Sequence, residues 1–261
     1  PSTSVVPSVP VSSSEAPVPS AAPTYAPTTP HSGSKRGLSY NDASLTECFE
    51  NSGKISWAYN WGTTPDGLPS SFEYVPTMWG LKYDFPTIWA KNAQAAIDAG
   101  STCLFSFNEP DHVDQSGLSV PDAVVAYKKH MQPFAGKARI GSPSVTDGPA
   151  PMGLDYLDRF LSACSGCTVD FVNVHWYNSV NNVQYFKDHV TKAHTMSGKP
   201  VWVTEFGTTD GSPEQIAEFL REVMEWMDAQ DFVERYAYFM AAEGKLVSGA
   251  NLNTVGQAYA S

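Results

Sequence analysis

The chain has 261 residues and a formal net charge of −11, with 27 acidic side chains against 16 lysines and arginines. A nucleic-acid-binding protein needs a basic surface that displaces counterions from phosphates, so this charge balance excludes nucleic acid as a partner. No uninterrupted apolar run approaches the roughly 20 residues that cross a bilayer, so we also expect no membrane span.

Residues 1–34 differ in composition from the rest of the chain. They contain 8 prolines, 9 serines and 4 threonines, one acidic residue, Glu15, and no lysine or arginine. Such a segment cannot bury enough apolar surface to offset the entropy lost on ordering, which predicts a disordered linker or stalk. Its Ser/Thr/Pro density is typical of the O-glycosylated stalk of an exported protein, with an unmodified linker as the alternative.

Residues 35–261 are predicted to form a single domain, because no second linker interrupts them. Short runs rich in β-branched and aromatic residues predict eight strands. The predicted strands are residues 35–40, 55–61, 73–79, 102–108, 138–145, 169–177, 200–206 and 235–240.

Helical spacing and helix-start signals fill most of the gaps between these strands. Pro86 and Pro121 open two helices, and Ser212 with Pro213 caps and opens a third. The predicted helices are residues 43–50, 87–99, 122–132, 153–163, 182–195, 214–229 and 254–260, with a loop at 62–72. Eight strands with intervening helices predict a parallel (β/α)8 barrel. A doubly wound sheet is the alternative, but the glycine-rich turn after its first strand is absent.

Two glutamates stand at the predicted carboxyl ends of strands, where barrels of this kind place their active sites. Glu109 follows the fourth strand and Glu205 lies near the end of the seventh. An unpaired carboxylate is costly at the end of a buried strand, so two of them on one rim indicate an acid and a base. Cleavage of a glycosidic bond needs such a pair, because one carboxyl protonates the leaving oxygen while the other attacks carbon or activates water.

Aromatic and polar side chains accompany the glutamates at the same strand ends. Aromatic rings stack on the apolar faces of sugars, and amide or imidazole groups bond sugar hydroxyls, so this set predicts a saccharide-binding cleft. The candidate binding residues are Asn41, Trp61, Trp79, Asn108, His175, Tyr177, Phe239 and Glu243, with Trp176 as a further stacking candidate. Trp57 is predicted to belong to the core. For Glu243, contact with sugar hydroxyls and simple exposure to solvent are equally compatible with the sequence.

Seven motifs along the chain resemble, in order, those of glycoside hydrolase family 128, whose characterised members include fungal endo-β-1,3-glucanases. The motifs are KRGLSYND, WAYNWG, YVPTMWG, FNEPD, VDFVNVHWY, PVWVTEFG and ERYAYF, and the match runs from Lys35 to about Tyr259. Phe239 departs from the pattern, because many related barrels carry Trp at the end of the eighth strand.

The resemblance implies a retaining double displacement, with Glu109 as general acid/base and Glu205 as nucleophile. Their carboxyls should then lie about 5 to 5.5 Å apart. The neighbours of Glu109 should raise its pKa so that it holds a proton, while donors from Tyr177 or Asn108 should keep Glu205 ionised. Asn108 is also a candidate to bond the 2-hydroxyl of the substrate.

The resemblance further implies a monomer without cofactor or metal that acts on β-1,3-glucan polysaccharide or oligosaccharide, secreted from a fungus or associated with its cell wall. A metal cluster of Glu109, Asp111, His112 and His175 is conceivable, but the HEXXH type of spacing is missing. Two functional alternatives remain open. They are a non-catalytic β-glucan-binding wall protein and a hydrolase of another linkage, such as β-1,4 or β-1,6.

Four cysteines permit three fully paired arrangements. Cys164 and Cys167 lie in the predicted turn before the sixth strand, which favours a local disulfide, in keeping with an exported protein. Cys48 and Cys103 could form a second bridge or remain thiols, and the start of a buried strand suits Cys103 to the latter.

Overall fold

A parallel β-sheet of eight strands forms the centre of the protein. The computed structural model describes residues 33–261, so the predicted stalk lies almost entirely outside the described residues. The strands are β1 (Arg36–Tyr40), β2 (Ile55–Tyr59), β3 (Glu73–Tyr74), β4 (Cys103–Leu104), β5 (Arg139–Val145), β6 (Phe171–Asn178), β7 (Val201–Thr208) and β8 (Val233–Ala241). Across the sheet their order is β3-β2-β1-β8-β7-β6-β5-β4, and every neighbouring pair is parallel.

Helices connect most of these strands, as predicted. They are α1 (Phe85–Asp98), α2 (Val120–His130), α3 (Gly153–Ala163), α4 (Val183–Ser197), α5 (Pro213–Ala229) and α6 (Thr254–Ala260), with 3₁₀ helices at Ala43–Ser52 and Gln132–Phe134. The predicted strands and helices are thereby confirmed, although β3 and β4 are shorter than expected. A small antiparallel hairpin of β9 (Val247–Ser248) and β10 (Asn251–Leu252) was not predicted.

The sheet curls until its two edges meet. Beyond the short strands β3 and β4, Met78 N donates to Phe105 O across 3.0 Å and Asn108 N donates to Trp79 O across 2.9 Å. A parallel bridge also pairs Thr77 with Phe105. Because strands adjacent in sequence are adjacent in space and β1 lies beside β8, the doubly wound alternative is wrong, and the parallel curled sheet expected of a (β/α)8 fold is present.

The start of α5 illustrates how the sequence sets a helix. Ser212 Oγ accepts from Gln215 N and the Gln215 side chain bonds back to Ser212 N, which satisfies two backbone donors at the first turn. Pro213 occupies the position where its missing N–H costs nothing. The apolar side of the helix, including Leu220 and Val223, is buried against the sheet.

Aromatic side chains fill the inside of the curl below the strand ends. This inner cluster consists of Trp57, Tyr59, Val75, Cys103, Phe105, Phe171, Trp202 and Ala237. Trp57 is fully buried, so its assignment to the core is confirmed. Gly37 permits this packing, since a Cβ there would lie 2.2 Å from Cε2 of Trp57. Because these side chains fill the inside of the curl, the cleft lies above them, at the carboxyl ends of the strands.

The four cysteines form one disulfide and two free thiols, which is one of the arrangements that the sequence left open. Cys164 and Cys167 form a disulfide, which confirms the predicted local bridge. Cys48 and Cys103 are free, and burial raises the pKa of the Cys103 thiol to about 11. Within residues 33–261, no helix combines the length and the apolar character that crossing a membrane requires.

Candidate active site

Glu109 and Glu205 lie at the carboxyl end of the sheet and face one cleft. Glu205 is part of β7, while Glu109 follows β4, its backbone N–H donating to Ser144 O across 2.8 Å. Glu109 adopts a left-handed conformation with φ of 41°, which costs about 1 kcal/mol or more for a residue with a Cβ. Both residues are buried, at 9% and 5% exposure. The fold therefore holds two nearly dry carboxylates in fixed positions.

The cleft has a volume of about 510 Å³ and unites most of the predicted site residues. Its lining consists of Asn41, Trp61, Trp79, Asn108, Glu109, Gln115, Tyr177, Glu205 and Phe239. Of the predicted residues, His175, Glu243 and the further stacking candidate Trp176 are absent from this lining. Gln115 was not predicted, because a single glutamine in a connecting loop carries no periodic or motif signal.

Both carboxylate oxygens of Glu205 accept hydrogen bonds from neutral donors. Tyr177 Oη donates to Oε2 across 2.6 Å, as predicted, and Trp61 Nε1 donates to Oε1 across 2.7 Å. Burial and the charge of Glu205 raise the pKa of Tyr177, so its hydroxyl remains a donor. Trp61 was expected only to stack on sugar, and its bond to Glu205 was missed.

Asn108 does not supply the second donor to Glu205 that the resemblance allowed. Its Nδ2 donates instead to Gln115 Oε1 across 3.3 Å, so these two amides line the cleft as a bonded pair. Each amide can still bond a sugar hydroxyl with its remaining donor or acceptor.

His175 lies behind the cleft, between the two glutamates. Its ring is 1% exposed, with Nδ1 2.8 Å from Glu109 Oε1. On the other side, Nε2 lies 3.1 Å from Thr204 Oγ1 and 3.6 Å from Glu205 Oε1. Both ring nitrogens are therefore engaged by protein groups, which leaves neither directed at the cleft.

This arrangement reverses the expected shift at Glu109. Burial raises the pKa of Glu109, but the hydrogen bond and the charge of His175, with a smaller contribution from His112, outweigh it and lower the pKa. Burial lowers the pKa of His175, while the charge of Glu205 and the bond to Glu109 raise it overall. The prediction that neighbours raise the pKa of Glu109 is thus wrong, because a buried histidine in contact with it stabilises the carboxylate.

Within the described part of the chain, Glu109, His175 and Glu205 lie close enough together to be compared with a metal site. One ligand atom from each lies within 4.8 Å of the others. A histidine with two carboxylates is a donor set that transition metals accept. In this protein, however, the imidazole nitrogens stand at hydrogen-bonding distance from Glu109 and Thr204, and these bonds account for the cluster.

Asp111, a member of the metal cluster considered above, serves a different purpose. Its carboxylate accepts from Thr146 N, from Thr146 Oγ1 at 2.6 Å and from Gly153 N at 2.8 Å. The loop that carries Glu109 is therefore bonded to the loop between β5 and α3.

The aromatic candidates divide between the cleft and the core. Phe239 lies edge-on between Trp61 and Tyr177, with ring centroids 5.7 and 5.6 Å away. Trp79 is half-buried and contacts Phe85. Trp176 was wrongly considered for stacking on sugar, since it is fully buried and stacks on Phe219 of α5 at 5.6 Å.

Glu243 lies beyond β8, near the small hairpin. Its Oε2 accepts a hydrogen bond from Gly249 N across 2.9 Å. The carboxylate thus supports the turn of the hairpin.

Comparisons with known proteins agree with this geometry. Residues 37–259 match the protein family described as glycosyl hydrolase catalytic core. A crystal structure of a curdlan-specific exo-β-1,3-glucanase of glycoside hydrolase family 128, subgroup III, from Blastomyces gilchristii in complex with glucose is 43% identical, with a TM-score of 0.82 over 86% of this chain and 97% of that one. A subgroup I endo-β-1,3-glucanase of the same family from Amycolatopsis mediterranei, in complex with laminaritriose, is 30% identical, with a TM-score of 0.76 over 87% and 99%.

A curated protein is also similar. Alkali-sensitive linkage protein 1 of Schizosaccharomyces pombe is 30% identical over 87% of this chain. The match covers 44% of that protein, so the chain spans less than half the length of this relative.

Proposed function

Since the chain belongs to the glycosyl hydrolase catalytic core and within it to glycoside hydrolase family 128, we propose that it is an endo-β-1,3-glucanase that hydrolyses β-1,3-glucan with retention of configuration. The activity resides in residues 35–261, folded as a closed (β/α)8 barrel, with residues 1–34 as a stalk. One observation carries the proposal. Glu109 and Glu205 converge on a cleft lined by Trp61, Trp79 and Phe239.

In this proposal Glu205 is the nucleophile. Its two neutral donors, Trp61 and Tyr177, orient the carboxylate without placing a charge beside it. Glu109 protonates the departing glycosidic oxygen and, in the second half-reaction, takes the proton of the water that hydrolyses the glycosyl ester.

The separation of the two glutamates supports retention. A carboxylate oxygen of each lies within 4.8 Å of the other. Retaining glycosidases hold their carboxyls about 5 to 5.5 Å apart, whereas inverting ones need roughly 6.5 to 9.5 Å to admit a water. The short separation therefore supports the retaining arrangement.

The cleft suits a saccharide substrate. Trp79 and Phe239 offer ring faces or edges to the apolar sides of glucosyl units, and the amides of Asn41, Asn108 and Gln115 offer donors and acceptors to their hydroxyls. β-1,3-Glucan is the proposed polymer, because the two solved relatives described above are β-1,3-glucanases.

An exo-acting enzyme is a second candidate, and a specific observation favours it. The relative of 43% identity is described as an exo-β-1,3-glucanase, while the endo-acting relative is 30% identical. The disulfide of Cys164 and Cys167 and the Ser/Thr-rich first 34 residues support secretion or cell-wall association in either case.

Product analysis on linear β-1,3-glucan tests the proposal. The wild type is compared with Glu109→Gln and Glu205→Gln, and β-1,4- and β-1,6-glucans serve as control polymers. We expect β-1,3-linked oligosaccharides of mixed length from the wild type, the β-anomer as first product by NMR, and no products from either variant. Release of glucose alone would favour the exo candidate, and binding of glucan without release from any polymer would favour the non-catalytic alternative.

A further inference from the structure

His175 lies between the two glutamates and faces both of them. Nδ1 faces Glu109 at 2.8 Å and Nε2 faces Glu205 at 3.6 Å. Within residues 33–261, no lysine or arginine forms a salt bridge with either glutamate. Among the described residues, His175 is the group that can place a positive charge within 4 Å of both glutamates.

The burial of the three groups determines where a proton resides at rest. Without a proton on any of the three groups, two carboxylates would stay charged in a nearly dry site without a cation, which is strongly unfavourable. A protonated imidazole instead neutralises one of them at hydrogen-bonding distance. The pKa of His175 is raised and that of Glu109 is lowered, in agreement with this distribution.

We propose that His175 stores the proton that Glu109 delivers to the glycosidic oxygen, and that the charge on Glu205 decides which of the two side chains holds it. The inference rests on the proposed retaining mechanism and adds to it a positioning residue that couples nucleophile and acid. The charge of Glu205 and the hydrogen bond and charge of Glu109 all raise the pKa of His175.

The first half-reaction balances in charge and atoms. A Glu205 oxygen gives an electron pair to the new bond with the anomeric carbon and loses its negative charge. The proton passes from His175 Nδ1 to Glu109 and on to the glycosidic oxygen, which keeps the electron pair of the breaking bond. Imidazolium and two carboxylates become neutral imidazole, one carboxylate and one glycosyl ester, so the three side chains keep one net negative charge.

The second half-reaction restores the starting state. Water attacks the anomeric carbon, its proton goes to Glu109, and the ester bond breaks with its electron pair returning to Glu205. The renewed charge on Glu205 then draws the proton from Glu109 to His175. Thr204 Oγ1, 3.1 Å from Nε2, can accept from the protonated ring or donate to the neutral one, so the ring stays bonded throughout.

Other ionisable groups lie near His175 or the two glutamates. They are Asp111 and His112 after β4, Asp147 after β5, Tyr59 of β2, Tyr177 of β6 and His189 of α4. Glu205 is the neighbour that loses and regains a charge in each turnover.

NMR titration of the imidazole nitrogens in ¹⁵N-labelled protein tests the coupling without any substrate. Glu205→Gln replaces the charged oxygen by a neutral amide, as ester formation does. We expect the pKa of His175 to fall by about one unit or more in this variant, while Glu222→Gln, which removes an exposed carboxylate paired with Lys187, leaves it unchanged. An unchanged His175 titration in Glu205→Gln would overturn the inference.

Kinetics with two leaving groups separate proton storage from a merely structural role. His175→Asn keeps an N–H donor near Glu109 but binds no proton. We expect kcat/KM to fall about 100-fold on laminari-oligosaccharides, whose leaving group needs the proton. On a dinitrophenyl β-laminaribioside, whose leaving group needs none, we expect a change of less than about 3-fold.

The other outcomes are distinguishable. A parallel loss on both substrates, or no loss on either, contradicts the inference while the proposed function stands. A wild type that hydrolyses neither substrate refutes the proposed function and the inference with it.

Discussion

Trp61 donates its indole N–H to Glu205 across 2.7 Å, although the two residues are 144 positions apart in the chain. Trp61 has a left-handed φ of 58°, so its side chain leaves β2 in a direction that regular strand geometry would not provide. Its ring also packs edge-on against Tyr59 at 5.0 Å. A residue predicted only to hold sugar thus also bonds the carboxylate of Glu205.

Trp61→Phe should separate these two contributions. The variant keeps an aromatic ring beside Tyr59 and Phe239 but loses the hydrogen bond to a charged oxygen, which is worth about 1.5 to 3 kcal/mol. We expect kcat/KM on β-1,3-glucan to fall at least about 10-fold. In Trp79→Phe, which removes an indole without a bond to either glutamate, the loss should be smaller. Equal losses in both variants would indicate that Trp61 acts through packing alone.

His189 should make the protein less stable in mild acid. Burial lowers the pKa of this histidine to about 4, whereas the ordinary value is 6.5. Between pH 6.5 and pH 4 the unfolded chain therefore binds a proton that the folded chain does not bind. The contribution of His189 to the free energy of unfolding is thus fully present above pH 6.5 and is lost as the pH falls toward 4. The shift corresponds to about 3 kcal/mol.

Urea unfolding at pH 7 and pH 4.5 checks this expectation. His189→Gln should lose less stability between the two pH values than the wild type, because it has no imidazole to protonate. His112→Gln, at a partly exposed histidine, serves as control and should follow the wild type. The explanation fails if His189→Gln and the wild type lose equal free energy of unfolding.

Arg235 should contribute to stability far more than a surface arginine does. It is 4% exposed, bonds to Glu73 across 2.6 Å and lies 4.6 Å above the ring of Trp202. Arg235→Met removes a charge-assisted bond and a ring contact from a buried site, so it should lower the free energy of unfolding by about 3 to 5 kcal/mol.

The matched control for Arg235 is Arg159→Met. Arg159 pairs with Asp155 on the surface of α3, where both side chains are nearly half exposed. We expect a loss of less than about 1 kcal/mol in urea titrations. Similar losses at the two sites would contradict the importance assigned to burial.

Reduction of the single disulfide should affect the protein only slightly. Cys164 and Cys167 are three positions apart, so their bridge closes a very short loop. The loop-entropy relation gives about 2 kcal/mol for a loop of this size. We expect Cys164→Ser with Cys167→Ser to lower Tm by a few degrees and leave kcat/KM unchanged. A large loss of activity would show that the bridge shapes the cleft.

Most of the fold could be predicted because each element carries local signals. Alternating runs gave the strands, and caps such as Ser212 with Pro213 gave the helix starts. The same period of two could have placed Trp176: His175 and Tyr177 are on one face of β6, so the residue between them faces the helices. That rule was outweighed by the expectation of aromatic rings in a sugar cleft.

The finer geometry of the site depends on details that no local pattern carries. The register of β6 and β7 shifts between Val174 and His175, which pairs His175 with Glu205 and brings its ring between the two glutamates. The left-handed backbone of Glu109 is likewise visible only in the folded chain. These departures from ideal strand geometry reversed the expected pKa shift of Glu109.

The hydrogen bonds of Asp111 affect which loops of the cleft can be exchanged. Asp111 lies two residues after Glu109 and accepts hydrogen bonds from the backbone of Gly153 and from both donors of Thr146. These bonds join the loop after β4 to the loop after β5. A loop exchanged from a relative would disturb Glu109 if only one of the two were replaced. Recombination of cleft specificities should therefore succeed with both loops transplanted together and fail with either alone.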